Sequence, residues 1–555
     1  MTSFLAPVLD GLGARLNDPV LYILLEGRGE VPVTGGELLR QVEGWRKAYA
    51  SRGVGEGDVT LIGLDHGTEI VPAFLGAVAV GALPAVLPYP TLRTEPGVLA
   101  QRIADQAAAA GARAVVTKTA LLEAHATTAA EGTLWLSPGR ETAASEGDRP
   151  EAVSLAGDAP AYIQYSSGTT GHQKGVLIGH HAVLRHAEEY GGVLRLQAGE
   201  VVVSWLPLFH DMGLVTSVLM PLLCGLQAVL ISPYDWVRRP SLLFQMVARY
   251  RGNYTWMPNF AFNLCVQRVR DADLQDVDLG SLVRITNGAE MARLRSVEAF
   301  NDRFAAFGLG PDVVGIGYGM AETTLAIAVT PRGRGAESDW IETASFQLGR
   351  AIRSAPAAVG STSVMSCGRP ISGTRLRVVG EEGQDLPPRQ IGEVLVQNEH
   401  LFLGYHRRED LTREALLDGW LHTGDLGYHE DGELYLCGRK KDLIIASGRN
   451  VYPEEVEEII AQVDGLRPGR AVAFAVEDER AGTEGVVIVA ELDPRAADSA
   501  HQVESAIRLN LVQRLDLVPL DVRLVPRGWV EKTTSGKVGR AMNRDKYLNE
   551  FGPWA

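Results

Sequence analysis

The sequence has 555 residues, which at roughly 100–200 residues per domain predicts two to four domains. Hydrophobic residues make up 46% and charged residues 22%, which excludes a disordered, collagenous or low-complexity chain. Lysine and arginine number 53 against 68 acidic residues, and the formal net charge of −15 argues against a general nucleic-acid or acidic-lipid binder.

At the N-terminus, Asp10 interrupts the first apolar stretch before a signal-peptide core forms, so no targeting segment is expected. Two stretches of about twenty residues lack charge, 70–90 and 212–232, and each has the length of a membrane span. The first carries Pro72, Pro84 and Pro88, the second Pro221, Gly225 and Gln227. A buried helix followed by a buried strand is therefore expected for both, with no membrane span. Short β-branched runs at 58–64, 112–118, 201–208 and 228–232 alternate with Ala-rich or amphipathic stretches such as 99–112 and 238–251. That alternation predicts parallel α/β sheets covered on both faces. After Cys367 the strands shorten, at 375–380, 392–397 and 433–437, and Gly/Asp turns separate them. An antiparallel β subdomain over about 367–440 is expected there. Residues 332–365 have weak periodicity, as in a long loop or a short inserted element. From Glu454 a helix, two strands, a helix and a last strand (454–462, 471–477, 486–492, 501–515, 521–525) read as a small α+β domain. The fold class is thus α/β, with a large N-terminal domain over 1–440 and a C-terminal domain over 441–555. Cys224, Cys265, Cys367 and Cys437 form no CxxC pair, which suits a reducing, cytoplasmic setting rather than a disulfide or zinc framework.

The chemistry is concentrated in short motifs. Residues 162–175 (YIQYSSGTTGHQKG) run from an apolar strand into a Ser/Thr/Gly-rich loop ending in Lys174. In Ser166, Ser167, Gly168, Thr169, Thr170 and Gly171, glycines allow close backbone approach to an anion and hydroxyls donate to its oxygens. With the charge of Lys174 this is a phosphate cradle, but its spacing is not that of a Walker A loop. Further along come NGAE (287–290), YGMAET (318–323), TGD (423–425), GRKKD (438–442) and TTSGK (533–537). Zinc-hydrolase and serine-hydrolase signatures are missing.

Taken in this order over essentially the whole chain, these motifs resemble the acyl-adenylating superfamily. It includes acyl-CoA synthetases, peptide-synthetase adenylation domains and firefly luciferase. LPLFHDMGL (206–214), PNFAFNLC (258–265), Ala321 in YGMAE and SCGRP (366–370) after a long insert make the chain most similar to the fatty-acyl-AMP ligases. The resemblance implies that a carboxylate attacks the α-phosphorus of ATP and expels pyrophosphate, chemistry that needs positioning and charge neutralisation. The Ser166–Lys174 loop then holds the outer phosphates and Glu322 is the Mg2+ ligand, since magnesium takes one or two carboxylates plus phosphate oxygens. Tyr318 is a candidate to stack on adenine, and Asp425 to accept from the ribose diol with Arg439 beside it. Gly288, Ala289, Glu290, Gly319, Met320 and Ala321 complete the implied nucleotide site. Lys537, on the loop of a mobile small domain, is expected to neutralise charge developing on the carboxylate and α-phosphate. By resemblance alone, His210 lies at the carboxylate end of the acyl site and Lys441 is the hinge of the small domain.

Trp, Phe, Met and Leu in 205–214 and 256–264 favour an apolar acid over a free amino acid. In fatty-acyl-AMP ligases an insert such as 332–365 is associated with loss of coenzyme A transfer. The expected acceptor is therefore the phosphopantetheine thiol of an acyl carrier protein. An acyl-CoA synthetase is the alternative, followed by an amino-acid or aryl-acid adenylating enzyme, or a catalytically silent nucleotide-binding scaffold.

Overall fold

The computed structural model describes residues 3–552 except 28, 89–95, 120, 122–132, 140–149, 151–157, 166–173, 348, 359, 447–448, 479–482 and 534–535. At its centre is a nine-stranded sheet. Pro19–Leu25, Gln227–Leu230, Val201–Ser204, Tyr254–Met257, Arg284–Asn287 and Val314–Gly319 lie parallel in that order. Their cores, VVVS and YTWM for example, are buried at every position, as expected of strands with helices on both faces. Antiparallel strands close both edges: Gly29–Thr34 on one, Ala326–Val329 and Arg369–Pro370 on the other.

A second parallel sheet joins Leu83–Val86, Val59–Gly63, Ala114–Thr117 and Leu134–Leu136. Both charge-free stretches fold as a helix followed by a strand. Ile70–Ala79 leads to Leu83–Val86, and helical turns from Asp211 to Cys224, with a π-helical segment at Val215–Leu219, lead to Gln227–Leu230. No helix among the described residues is long and apolar enough to cross a membrane.

The expected antiparallel sheet is present, built from Arg375–Val379, Gly392–Gln397, Trp420–Glu430, Leu416–Leu417 and Glu433–Arg439. Its longest strand, Trp420–Glu430, contains the TGD motif, which is no tight turn. Glu393 pairs with Leu426 and Leu395 with His422, so Val394 alone faces residues 423–425. The three residues bulge out, with Gly424 at φ +70°, Thr423 donating from Oγ1 to the Val394 carbonyl, and Asp425 N–H donating to Thr423 Oγ1.

The described residues of 332–365 form an inserted element rather than a long loop. Ser338–Glu342 and Ser361–Met365 pair antiparallel, with the short helix Thr343–Gln347 between them. Its Ile341, Phe346, Ala351 and Val364 share one apolar cluster with Leu426, Tyr428, Cys437 and Tyr452. The C-terminal portion pairs Leu466–Asp478, Thr483–Leu492 and Asp521–Val525 in one sheet. Pro453–Ile460 and Ala500–Leu515 are the expected helices, while a further helix, Arg540–Phe551, was not. All four cysteines are free thiols.

Candidate active site

Four of the parallel strands, Val201–Ser204, Tyr254–Met257, Arg284–Asn287 and Val314–Gly319, release their loops at the carboxyl edge of the central sheet. Ligands of open α/β sheets bind at this edge. These loops line a cavity of about 1430 Å3, which the antiparallel sheet and the loop bearing Lys537 also border. His210, Glu290, Glu322, Asp425, Arg439 and Lys537 all face it, although up to 327 positions separate them in the chain (537 − 210). Ser166, Ser167, Gly168, Thr169, Thr170 and Gly171 lie outside the described residues; Lys174, which ends that loop, lines the cavity.

Two backbone features shape the nucleotide side. Ala289 holds φ +68°, and a Cβ at Gly288 would come 3.1 Å from the Gly317 carbonyl oxygen. A Cβ at Gly319 would lie 1.7 Å from the Leu325 oxygen, because the chain doubles back there and Met320 N–H donates to that oxygen at 2.8 Å. Only glycine permits this fold-back, and the fold-back presents Met320, Ala321 and Glu322 to the cavity. Glu290 accepts from Phe260 N–H, and burial pushes its carboxyl upward against that bond.

Tyr318 and Asp425 meet across 107 residues: the phenol donates to Asp425 Oδ2 at 2.7 Å, and Arg439 Nε donates to Oδ1 at 3.1 Å. Pairing with Asp425 raises the Arg439 guanidinium further, and burial raises the Tyr318 phenol. Asp425 is thus a fixed carboxylate carrying a cation and a hydroxyl donor, suited to accept from a sugar diol.

Glu322 is half-buried, and desolvation raises its carboxyl; the Tyr405 hydroxyl, donating to Oε1 at 2.7 Å, acts in the opposite direction. Lys174 Nζ lies 4.6 Å from the centroid of the same tyrosine ring. Asp211, also half-buried and also lining the cavity, adds negative charge that raises Glu322 further. Among the described residues no group of three or more His, Cys, Asp or Glu could cage a metal ion. The donor set fits magnesium, which accepts one or two carboxylates and completes its shell from phosphate oxygens and water.

His210 precedes the short helix Asp211–Leu214, its carbonyl accepting Leu214 N–H at 2.8 Å. Burial, with Lys537 nearby, pushes the imidazole down to about 3, so it is neutral at physiological pH. Lys537 is itself lowered by burial and by Arg439, while Asp211, Glu290 and Asp425 favour its charge. At neighbouring Gly536, with φ +82°, an added Cβ would come 3.7 Å from the Phe260 ring. Lys441 occupies the turn Lys440–Asp442 and lines the cavity, its ammonium lowered by burial and by Arg439.

The apolar end is aromatic. Trp205 stacks on Trp236 at 3.6 Å, Phe260 meets Trp205 edge-on, and Trp256 Nε1 donates to Tyr190 at 2.8 Å. Asn263 and Gln267 also line the cavity, on the same helix face as Asn259, and the apolar expectation did not include them. Motif reading also missed Tyr405 and Arg293. Arg293 donates to Glu458 at 2.6 Å and to the Glu454 carbonyl at 2.7 Å, tying the helix Pro453–Ile460 to the rim of the site. Neither residue belongs to a distinctive string, so only the fold identifies them.

The arrangement can hold a nucleotide between residues 288–290, 318–322 and 425, and an apolar acid beside His210 and Trp205, with an ammonium at their junction. A family model described as AMP-binding enzyme matches residues 17–406. Over 546 residues the chain is 33% identical to long-chain-fatty-acid–AMP ligase FadD26 of Mycobacterium marinum, with 91% of each chain covered. It is 31% identical to 4-hydroxyphenylalkanoate adenylyltransferase of Mycobacterium tuberculosis, covering 90% of this chain and 83% of that one. Among solved structures, one from a study of fatty acyl-adenylate ligases of E. coli and L. pneumophila superposes with a TM-score of 0.87 at 25% identity, 98% of both chains being covered. The chain therefore belongs to the AMP-binding, adenylate-forming ligases.

Proposed function

We propose that the protein converts a fatty or related apolar carboxylic acid to acyl-AMP and passes the acyl group to the phosphopantetheine thiol of an acyl carrier protein. The observation that carries this reading is the convergence of Lys537, His210, Glu322 and Asp425 on one cavity with an aromatic end. The substrate carboxylate, beside neutral His210, attacks the α-phosphorus of ATP; the bond to the bridging oxygen breaks and pyrophosphate leaves. Lys537 carries the positive charge that offsets the negative charge gathering at this centre. Asp425 and Arg439 hold the ribose, Tyr318 and the 288–290 turn bound the adenine, and Lys174 with the 166–171 loop takes the outer phosphates. Magnesium, held by Glu322, would neutralise those phosphates. In the second half-reaction a thiol attacks the acyl carbonyl carbon and AMP departs, the thiol proton going to solvent.

Two lobes, 1–440 and 441–555, turning about Lys441 would separate the half-reactions. The insert supports the carrier-protein acceptor. The ring centroids of Phe346 and Tyr452 are 4.4 Å apart, and the helix Thr343–Gln347 lies beside Arg449–Val451 and Ala500–Leu515, which supports a restraint on the second lobe by the insert. Four cysteines without a disulfide and the need for ATP support a cytoplasmic location. Arylalkanoic acids are the second reading, favoured by Trp205 and Phe260 at the acyl end. The test supplies ATP and a panel of fatty and aryl acids, with coenzyme A, with a phosphopantetheinylated carrier protein, or with neither, and reads products by mass spectrometry. Acyl-CoA formed as fast as acyl-carrier overturns the acceptor assignment. Absence of pyrophosphate exchange with every acid overturns adenylation.

A further inference from the structure

The loop that carries Glu322 is strained and is held from one side by a single segment, residues 400–405. Thr324, a β-branched residue, has φ +63°, a conformation that persists only where its surroundings enforce it. Here Thr324 Oγ1 donates to the His400 carbonyl at 3.0 Å, and His400 Nδ1 lies 2.9 Å from the Thr323 carbonyl. Phe402 N–H donates to the Glu322 carbonyl at 2.8 Å, and the Tyr405 hydroxyl reaches the Glu322 carboxylate itself. The same segment is joined to the phosphate side. Gly404 and Tyr405 pair with Leu177 and Val176, His406 N–H donates to the Gly175 carbonyl at 2.7 Å, and Lys174 Nζ rests over the Tyr405 ring. Tyr405 N–H is in turn fixed by Thr412 Oγ1 at 2.8 Å.

We infer that Tyr405 is a positioning residue of the nucleotide site, its hydroxyl orienting the Glu322 carboxylate toward the metal and its ring face holding Lys174 ready for the phosphates. A carboxylate with both oxygens free to rotate presents its lone pairs in many directions; one short O–H bond to Oε1 fixes the plane and leaves Oε2 for a cation. The ring supplies a second, separable contact, because a cation over an aromatic face needs no hydroxyl. Tyr405 thereby couples the two groups that must receive a metal–nucleotide complex together. The inference rests on the proposed role of Glu322 as the magnesium carboxylate.

The experiment measures binding rather than turnover. Mn2+ affinity is read from the electron paramagnetic resonance of free Mn2+ in the presence of non-cleavable α,β-methylene ATP, for the full-length protein, Tyr405→Phe, Tyr405→Leu, Glu322→Gln and the double variant Tyr405→Phe/Glu322→Gln. Melting temperatures are recorded in parallel. Tyr405→Phe is expected to bind Mn2+ about tenfold more weakly, the size of one hydrogen bond to a charged group, while keeping its affinity for metal-free nucleotide. Tyr405→Leu is expected to lose several-fold in metal-free nucleotide affinity as well. The double variant should match Glu322→Gln alone. Unchanged Mn2+ affinity in Tyr405→Phe, with Glu322→Gln impaired, overturns the role of Tyr405 and leaves that of Glu322 intact. Unchanged affinity in Glu322→Gln overturns the metal assignment itself. A fall in melting temperature with no change in Mn2+ affinity marks Tyr405 as purely structural and also overturns the inference.

Discussion

Replacing Lys537 with methionine keeps the length and apolar stem of the side chain and removes only its charge. A unit charge about 4 Å from a developing anion, at an effective dielectric near 20, contributes about 4 kcal/mol, or roughly a thousandfold in rate. Arg439, the like charge acting on Lys537, already supplies part of that field, so the expected loss in adenylate formation is about 10²–10³-fold. Stability should move the other way. The Lys537 ammonium is lowered by burial, so at pH values below both its folded and unfolded values the protonated lysine opposes folding. That penalty fades as pH climbs from the folded value to the unfolded one. Methionine removes it at neutral pH, and the variant should melt at the same temperature as wild type or higher. In wild type the activity, which needs the charged form, should fall on the alkaline side starting below the ordinary lysine value of 10.5. Pyrophosphate exchange across pH 6–10, with differential scanning calorimetry, measures all three. Exchange within about threefold of wild type in Lys537→Met, or a melting temperature lowered by several degrees, refutes the reasoning.

Three further perturbations test other parts of the site. Asp425→Asn loses the charged acceptor of Tyr318 and Arg439, and the KM for ATP in pyrophosphate exchange should rise about 10–100-fold. Arg293→Glu breaks the contact to Glu458, and adenylate formation should fall roughly tenfold while transfer from preformed acyl-AMP is kept; adding Glu458→Arg should recover most of the loss in stopped-flow assays. Phe346→Ala empties a buried ring position against Tyr452, at a cost of about 3 kcal/mol, and coenzyme A turnover should rise at least about tenfold above background by mass spectrometry.

The parallel core was legible because its strands are short apolar runs whose burial on both faces leaves no polar alternation to misread. Other elements were not, for specific reasons. TGD consists of residues common in turns, yet it lies inside a long strand; that Thr423 bonds back to Val394 there is a matter of register with a distant partner. The helix Arg540–Phe551 buries only Asn543 and Tyr547, too few apolar positions to give a helical period. In 332–365 the polar Ser338, Asp339, Ser361 and Thr362 interrupt the apolar pattern of the paired strands, and the few apolar residues, Ile341, Phe346, Ala351 and Val364, complete their cluster only against the distant Leu426, Tyr428, Cys437 and Tyr452. Among site residues, those in distinctive strings could be named from the string. Tyr405, 83 positions from Glu322, and Arg293, 165 positions from Glu458, owe their place to tertiary contact alone.

The energetics of Lys537 bear on how such a site resets. An ammonium driven into a cavity already holding Arg439 is held there by opposing carboxylates on Asp211, Glu290 and Asp425, and by the Arg293 contacts to the same C-terminal portion. On the proposed reading, a bound triphosphate adds several negative charges to that side of the balance and favours insertion. Once pyrophosphate leaves, most of that charge is gone while the desolvation of the lysine and its repulsion from Arg439 remain. Withdrawal then becomes more favourable immediately after adenylation, when a thiol needs access to the acyl carbonyl. If this balance governs opening, added pyrophosphate should slow transfer from preformed acyl-AMP in wild type and much less in Lys537→Met, where no charge is left to attract.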